Sequence, residues 1–282
     1  MSDTGIRRYG RSDLPGANSG VQLRWQDIAP GSMTRKKLNN RHQFIEFRAT
    51  PTMMLKGTTG AAPGGSTGDV NILNFGGEGT LEQAILGAGQ TIIVPVLKDD
   101  GLEISGDQAA DEGMEICAGI TARAPSAFVV GTDPAFFFRV RAVIDDVSGS
   151  DDFAIGFRKN QAYTANVDDY TDFAVLNLIA GQWKTETALN NAATTTTTLT
   201  GSTVADLGAF EVMIKVSAAG AVTYEVGTAG SRTTPALAPA FTFHSTDVVV
   251  PFVYFLHDTD LANSVRLRHW EAGFYVNFEE TT

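Results

Sequence analysis

The stretch FFFRVRAVIDDVSGSDDFAIGFR, residues 136–158, decides the fold. Phe136, Phe138, Val140, Ala142 and Ile144 fall on one face of an extended chain. That is a period of two, the signature of a strand with one buried face. An acidic turn, Asp145 to Asp152, follows, built from Asp, Ser and Gly. A second apolar run, Phe153–Arg158, then returns. The reading is strand, turn, strand.

The pattern repeats outward. Apolar runs at Phe173–Ile179, Trp183–Leu189, Phe210–Ser217, Ala221–Val226, Val248–Phe255 and Val265–Phe278 are separated by turn residues. Val212, Ile214 and Val216 share a face, with Lys215 opposite. Val222, Tyr224 and Val226 follow the Ala-Ala-Gly turn at 218–220. No apolar period of 3.6 persists, so the expected fold is all-β, an antiparallel jelly-roll β-sandwich rather than a parallel α/β sheet. Short helices are expected only at Thr80–Leu86 and Thr259–Ala262.

Upstream, strands are expected at Gln43–Ala49, Thr91–Leu97 (with Pro95 marking an edge or bulge), Glu103–Ser105 and Met114–Ile120. An acidic loop is expected at 107–113. The glycine-rich stretch 57–69 has no P-loop Lys-Ser/Thr, and Gly76, Gly77 and Gly79 lack dinucleotide-fingerprint spacing; both read as turns. The divisions are an extended basic arm over 1–42, a loop-rich β segment over 43–125 that contributes strands to the body, and a sandwich over 126–282.

Charge sharpens this division. The 282 residues hold 21 Lys plus Arg and 32 Asp plus Glu, a net charge of −11. Residues 1–56 carry ten basic and four acidic groups, +6; the remaining 226 carry eleven and 28, −17. A basic arm precedes an acidic body. Such an arm suits an acidic protein surface or nucleic acid, or it serves only as a solubilising tail. The body's charge would repel phosphates. One Cys excludes an internal disulfide and a Cys-rich zinc site, and suits assembly in a reducing cytoplasm. No apolar run reaches the roughly 20 residues of a membrane-spanning helix, and the start of the chain has no secretory signal.

Three segments carry a family likeness: FFFRVRAVIDDVSGSDDFAIGFR at 136–158, FEVMIKVSAAGAVTYEV at 210–226 and VVVPFVYFLHDTD at 248–260. With VRLRHWEAGFYV at 265–276 as closing strand, they resemble a concanavalin A-like (laminin-G-like) jelly roll. The same block, with YTDFAVLNLIAGQWKTETALNNAATTTTTLT at 170–200, resembles uncharacterised virion proteins of tailed marine bacteriophages. That resemblance implies a virion structural protein, a capsid decoration or cement protein on the capsid surface, assembled in the host cytoplasm. It implies the major capsid protein as partner and a homo-oligomer, dimer or trimer. It brings no catalytic residues and no cofactor.

Glycoside hydrolysis needs paired acids on one strand face; Glu186, Glu225 and Glu271 each lack a second acid two or four residues away. Asp145, Asp146, Asp151 and Asp152 are weak Ca²⁺ candidates, without an EF-hand pattern, and read first as a solvated hairpin. Asp168, Asp169 and Asp172, and Asp258 with Asp260, read the same way. Cys117 reads as a buried, inert thiol. His244, His257 and His269 form no spaced pair, and His269 beside Trp270 reads as a packed or rim residue. The Thr run within 190–202 suits an edge strand or loop, a subunit contact or simply exposed chain.

The expected contact residues of the arm are Arg7, Arg8, Arg11, Arg35, Lys36, Lys37 and Arg41. The first alternative is a carbohydrate-binding, lectin-like adhesin on the particle surface, with Trp183, Tyr163 and Tyr170 as aromatic contacts to surface glycans. The second is a jelly-roll coat protein whose arm meets nucleic acid, for which +6 over 56 residues is weak. No membrane partner and no enzyme activity are expected.

Overall fold

Alternating apolar and polar residues along short runs build two antiparallel sheets in the computed structural model. It describes residues 43–46, 53–56, 70–75, 80–87, 96–98, 101–108, 112–118, 127–148, 150–257 and 261–275. The arm, the glycine stretch 57–69, Gly76 to Gly79, Pro95, and Asp258 to Asp260 lie outside these residues.

In chain order the strands begin with β1 (Gln43–Glu46), β2 (Met53–Lys56), β3 (Val70–Asn74), β4 (Thr80–Leu86), β5 (Val96–Lys98) and β6 (Gly101–Gln108). Next come β7 (Gly113–Cys117), β8 (Phe128–Val129), β9 (Phe136–Ile144), β10 (Ser150–Lys159), β11 (Phe173–Ile179) and β12 (Gln182–Ala188). The last are β13 (Thr195–Thr203), β14 (Ala209–Val216), β15 (Val222–Thr228), β16 (Ser231–Thr233), β17 (Val248–His257) and β18 (Leu261–Phe274). The first sheet runs β16-β15-β14-β9-β18-β6-β5, with β1 beside β18. The second runs β13-β12-β11-β10-β17-β7-β4-β3-β2, with β8 beside β17. The fold is the expected antiparallel jelly-roll sandwich.

The core lies between the sheets. Phe136, Phe138, Val140, Ala142 and Ile144 of β9 all point into it, as their alternation requires. Phe157 of β10 meets Phe128, Phe136 and Phe138 with ring centroids 6.1, 5.2 and 6.1 Å away. Phe138 meets Trp270 of β18 at 4.4 Å. Pro251 sits inside a central strand, yet β17 changes neighbours there: Val248 and Val249 pair with β8, and Phe252 onward with β7. The missing N–H falls at that junction.

Two expectations are corrected. Thr80–Leu86 is the strand β4, not a helix, because both its faces are covered: Leu81 packs into the main core, Ala84 and Leu86 into a second cluster. Leu261 and Ala262 begin β18 instead of a helix, held in register by Gln108 and Asp107. The acidic loop expected at 107–113 is narrower, since β6 runs to Gln108 and β7 starts at Gly113.

The second cluster lies on the outer face of the second sheet, beneath the segment 160–172. That segment includes a single 3-10 turn, Val167–Asp169, capped by the Asn166 side chain. Val167 and Tyr170 fold down onto Ala154, Val175, Phe252 and Tyr254. Under them Arg158 and Glu115 form an ion pair with neither side chain exposed, Nη2 to Oε1 at 2.6 Å.

His257 closes β17. It is fully buried, neither ring nitrogen has a hydrogen-bond partner among the described residues, and the Phe255 ring lies 4.6 Å away. Burial pushes its pKa down to about 4, against roughly 6.5 in an unfolded chain. Between those values the unfolded chain takes up a proton that the folded one refuses. Stability from this group is therefore complete above about pH 6.5 and is lost as pH falls toward 4. Allowing for solvent screening, the loss is on the order of 2 kcal/mol. Melting temperatures from pH 7 to about pH 4 should fall less steeply in His257→Phe; an unchanged slope would remove His257 as the cause.

Candidate functional site

Strand pairing gathers charge on the solvent face of the first sheet. Directly opposed residues of an antiparallel sheet share a face. One row across the sheet is Arg232, Gly227, Glu211, Arg141 and His269, from β16, β15, β14, β9 and β18. The next row is Glu225, Met213, Arg139 and Glu271. The third has Lys215 beside Phe137. From these rows Phe137, Arg139, Met213, Lys215, Glu225, Arg232 and Glu271, with Tyr275, line an open cleft of about 280 Å³, at the small end of ligand-binding pockets.

The cleft is cross-braced. Arg139 pairs with Glu271 at 2.5 Å and approaches Glu211 at 3.8 Å. Arg141 and Arg232 both pair closely with Glu211. Arg232 also meets Glu225 at 3.1 Å, and Lys215 pairs with Glu225. Gly227 makes the long reach of Arg232 possible. It leaves the position between Arg232 and Glu211 without a side chain, and a Cβ there would lie 2.1 Å from the Ser231 carbonyl oxygen. An aromatic wall closes one side: Phe137 and Tyr275 meet edge to face at 6.3 Å, and the Lys215 ammonium lies 4.9 Å from the Tyr275 ring centre.

Exposure separates two of the acids from the other charges. The cations Arg139, Arg141, Lys215 and Arg232 are 21, 36, 25 and 18% exposed and Glu225 is 21% exposed, whereas Glu211 and Glu271 are 0 and 2% exposed. Burial holds the His269 pKa below its ordinary value, and Arg139 and Arg141 push the same way against Glu271. Its ring nitrogen Nε2 is 3.1 Å from Arg139 Nη2. Partial burial, then repulsion from Arg139 and Arg141, lowers the Arg232 pKa.

The residues named from sequence fall differently. Glu225 and Glu271 lack a second acid on their own strands, yet the sheet brings both to Glu211. Each of the three is tied to a cation. Glu186 lies on the other sheet, where Asn177 donates to it at 2.7 Å, and burial raises its pKa. His269 is packed at the rim of the cleft. Of the aromatic candidates, Trp183 and Tyr170 are buried and Tyr163 is half-buried. Trp183 is in the core against Phe210 at 5.3 Å. Tyr170 is buried over Glu115 and Phe252, and Tyr163 packs on the second cluster. Large aromatics in strands are drawn inward by their apolar area, and the spacing of Trp183 and Tyr170 gave no sign of which face they would take.

The Ca²⁺ candidates are divided between turn and strand. Asp145 pairs with Arg266, and Asp146 accepts from the Ser148 amide at 2.9 Å. Asp151 and Asp152 lie in β10, which extends further back than Phe153, and Asp152 accepts from Asn177 at 2.5 Å. Asp172 is buried. Desolvation, the largest influence on it, would raise its pKa, but the Asn190 amide, Lys159 and Thr171 hold it low. Among the described residues no three His, Cys, Asp or Glu side chains are grouped to hold a metal ion. Cys117 is buried, 3.6 Å from Arg158. Arg7, Arg8, Arg11, Arg35, Lys36, Lys37 and Arg41 lie outside the described residues.

No protein-family model and no curated protein sequence matches this chain. Several solved structures share its outline. A legume lectin-like domain from Entamoeba histolytica is similar at a TM-score of 0.47 and 6% identity, over 69% of this chain and 90% of that one. The CBM2 module of the evolved Dit of Lactobacillus casei BL23 phage J-1 is similar at 0.45 and 10%, over 82 and 95%. An alginate lyase from Pseudomonas aeruginosa is similar at 0.40 and 11%, over 63 and 84%. None of these is a capsid decoration protein. At such overlaps, what the cleft binds is a question for its own side chains.

Proposed function

We propose that this chain is a lectin-like carbohydrate-binding module, an adhesin on a phage particle, whose glycan site is the cleft on the solvent face of the first sheet. The observation that carries this reading is the cleft's construction. An aromatic wall, Phe137 and Tyr275, stands beside forked donors and acceptors fixed by cross-strand ion pairs. A sugar presents both an apolar ring face and a fringe of hydroxyls, and such a lining meets both. Pre-ordered side chains also reduce the conformational cost of binding. The particle setting rests on the sequence likeness to virion proteins. Capsid decoration would draw instead on the arm at 1–42, and nothing in the cleft requires it.

The test is a glycan array probed with the full chain and with Tyr275→Ala. Bound glycans should lose affinity by about tenfold in the variant, the scale of one lost aromatic contact. Tyr275 lies at the end of its sheet, so the variant should melt close to the wild type. An array without any binder would sink the reading, and so would glycans bound equally by both proteins.

A further inference from the structure

The charge pattern of the cleft goes further and selects among glycans; this step rests on the glycan-site reading above. We propose that the cleft takes an acidic saccharide, a sugar ring bearing a carboxylate or sulfate, with the anionic group seated against Arg139, Arg232 and Lys215 and the ring beside Tyr275.

Four cations and three carboxylates meet here, but a ligand arriving from solvent does not meet them equally. Glu211 and Glu271 lie beneath, shut away from water, while all four cations and the third acid, Glu225, reach it, so the water-facing charges are four positive against one negative. The acids orient the guanidinium groups: Arg232 pairs through Nη1 with Glu211 and through Nε with Glu225, and its Nη2 meets Met213 Sδ at 3.5 Å, so the partly exposed edges of the cations are the surface that is offered. Guanidinium groups held in a fixed fork suit carboxylate and sulfate oxygens, with geometric selectivity that a lone ammonium lacks. Lys215 adds a compact charge over the aromatic wall.

The surroundings sharpen the contrast. Residues 57–282 carry eleven basic groups against 28 acidic ones; three of the eleven, Arg139, Lys215 and Arg232, line this cleft, and Arg141 pairs with Glu211 beside them. An acidic body repels a polyanion in general, so an acidic glycan would be guided to this cation-faced cleft. A neutral sugar would gain nothing from that arrangement. The crowding of Arg232 by Arg139 and Arg141 points the same way, since an incoming anion relieves it.

Calorimetric titration of the full chain with three oligosaccharides of equal length tests this: an oligogalacturonate, a sulfated carrageenan fragment and a malto-oligosaccharide. At least one acidic probe should bind, the neutral one should not, and binding should weaken as salt rises from about 50 to about 500 mM. Arg232→Gln should reduce acidic binding by about tenfold or more, and Lys215→Gln by a smaller factor in the same direction. Comparing the two acidic probes tells carboxylate from sulfate recognition. Preference for the neutral probe, or acidic binding indifferent to salt and to both variants, overturns the acidic selectivity but leaves a glycan site. No binding by any probe, in a protein that melts normally and is silent on the array, removes both.

Discussion

Glu115→Ala is expected to cost about 3–5 kcal/mol of folding stability, because it strands a buried guanidinium. Arg158 is wholly enclosed. Its Nε and Nη2 donate to Glu115 Oε1 at 2.8 and 2.6 Å, and Nη1 donates to the carbonyls of Lys159 and Gln161 at 3.0 and 3.1 Å. Tyr170 donates its hydroxyl to the other Glu115 oxygen. Burial first, and then the carboxylate, push the Tyr170 pKa up, so it remains a donor. The Arg158 guanidinium lies 4.7 Å from the Tyr170 ring centre and 5.7 Å from that of Phe252.

Without Glu115 the charge has no water to turn to. Replacing both partners by Met should cost far less than either truncation, since the expense lies in the unpaired charge more than in the pair's net attraction. Urea unfolding of Glu115→Ala, Arg158→Ala and the double Met variant measures this. A single truncation costing under about 1 kcal/mol, the scale of an exposed pair, would show that the cluster opens to water. The segment 160–172 should loosen with it, because Tyr170 is its anchor, and hydrogen exchange there should accelerate.

Phe157→Ala should be comparably severe, about 3–5 kcal/mol. Phe157 belongs to the second sheet, and its ring meets two phenylalanines of the first, Phe136 and Phe138. Truncation removes apolar contact with both and opens a cavity that flanking strands cannot collapse into. Edge-to-face pairing adds about 0.5–1.5 kcal/mol per contact beyond area. Phe157→Leu should recover much of the loss, since it keeps apolar volume and forfeits only the ring contacts. Thermal or urea melts of the two variants give the comparison; equal losses would mean that ring geometry, not volume, holds this region.

The strands themselves were legible. The stretch at 136–158 shows a clean period of two, and its inward residues are those the alternation names. Phe173–Ile179 has the bounds that the sequence shows. At Thr80–Leu86 burial on both faces defeated the local reading. TLEQAIL lacks a polar face because β4 is covered on both sides, so its pattern resembles a buried helix. The backward extension of β10 through Asp151 and Asp152 was hidden because those residues look like turn formers, while pairing of Ser150 with His257 and Asp152 with Leu256 holds them extended.

The cleft was not legible, and Glu211 and Arg232 went unremarked in the sequence. The one local signal was charge inside apolar strands: Arg139 and Arg141 in FRVRAV, Glu211 in FEVMIKV, Glu271 in HWEAGF. Each marks an outward position without naming its neighbours. By itself the sequence determined an antiparallel β fold, which residues of β9, β14 and β15 turn inward, and an acidic body behind a basic arm, because side-chain alternation and composition are local properties. Only the tertiary structure decided that Arg139, Glu211, Glu225, Arg232 and Glu271 meet. That depends on strand order and register, set by pairings between strands far apart in the chain, and a shift of one residue would turn each of those charges to the opposite face.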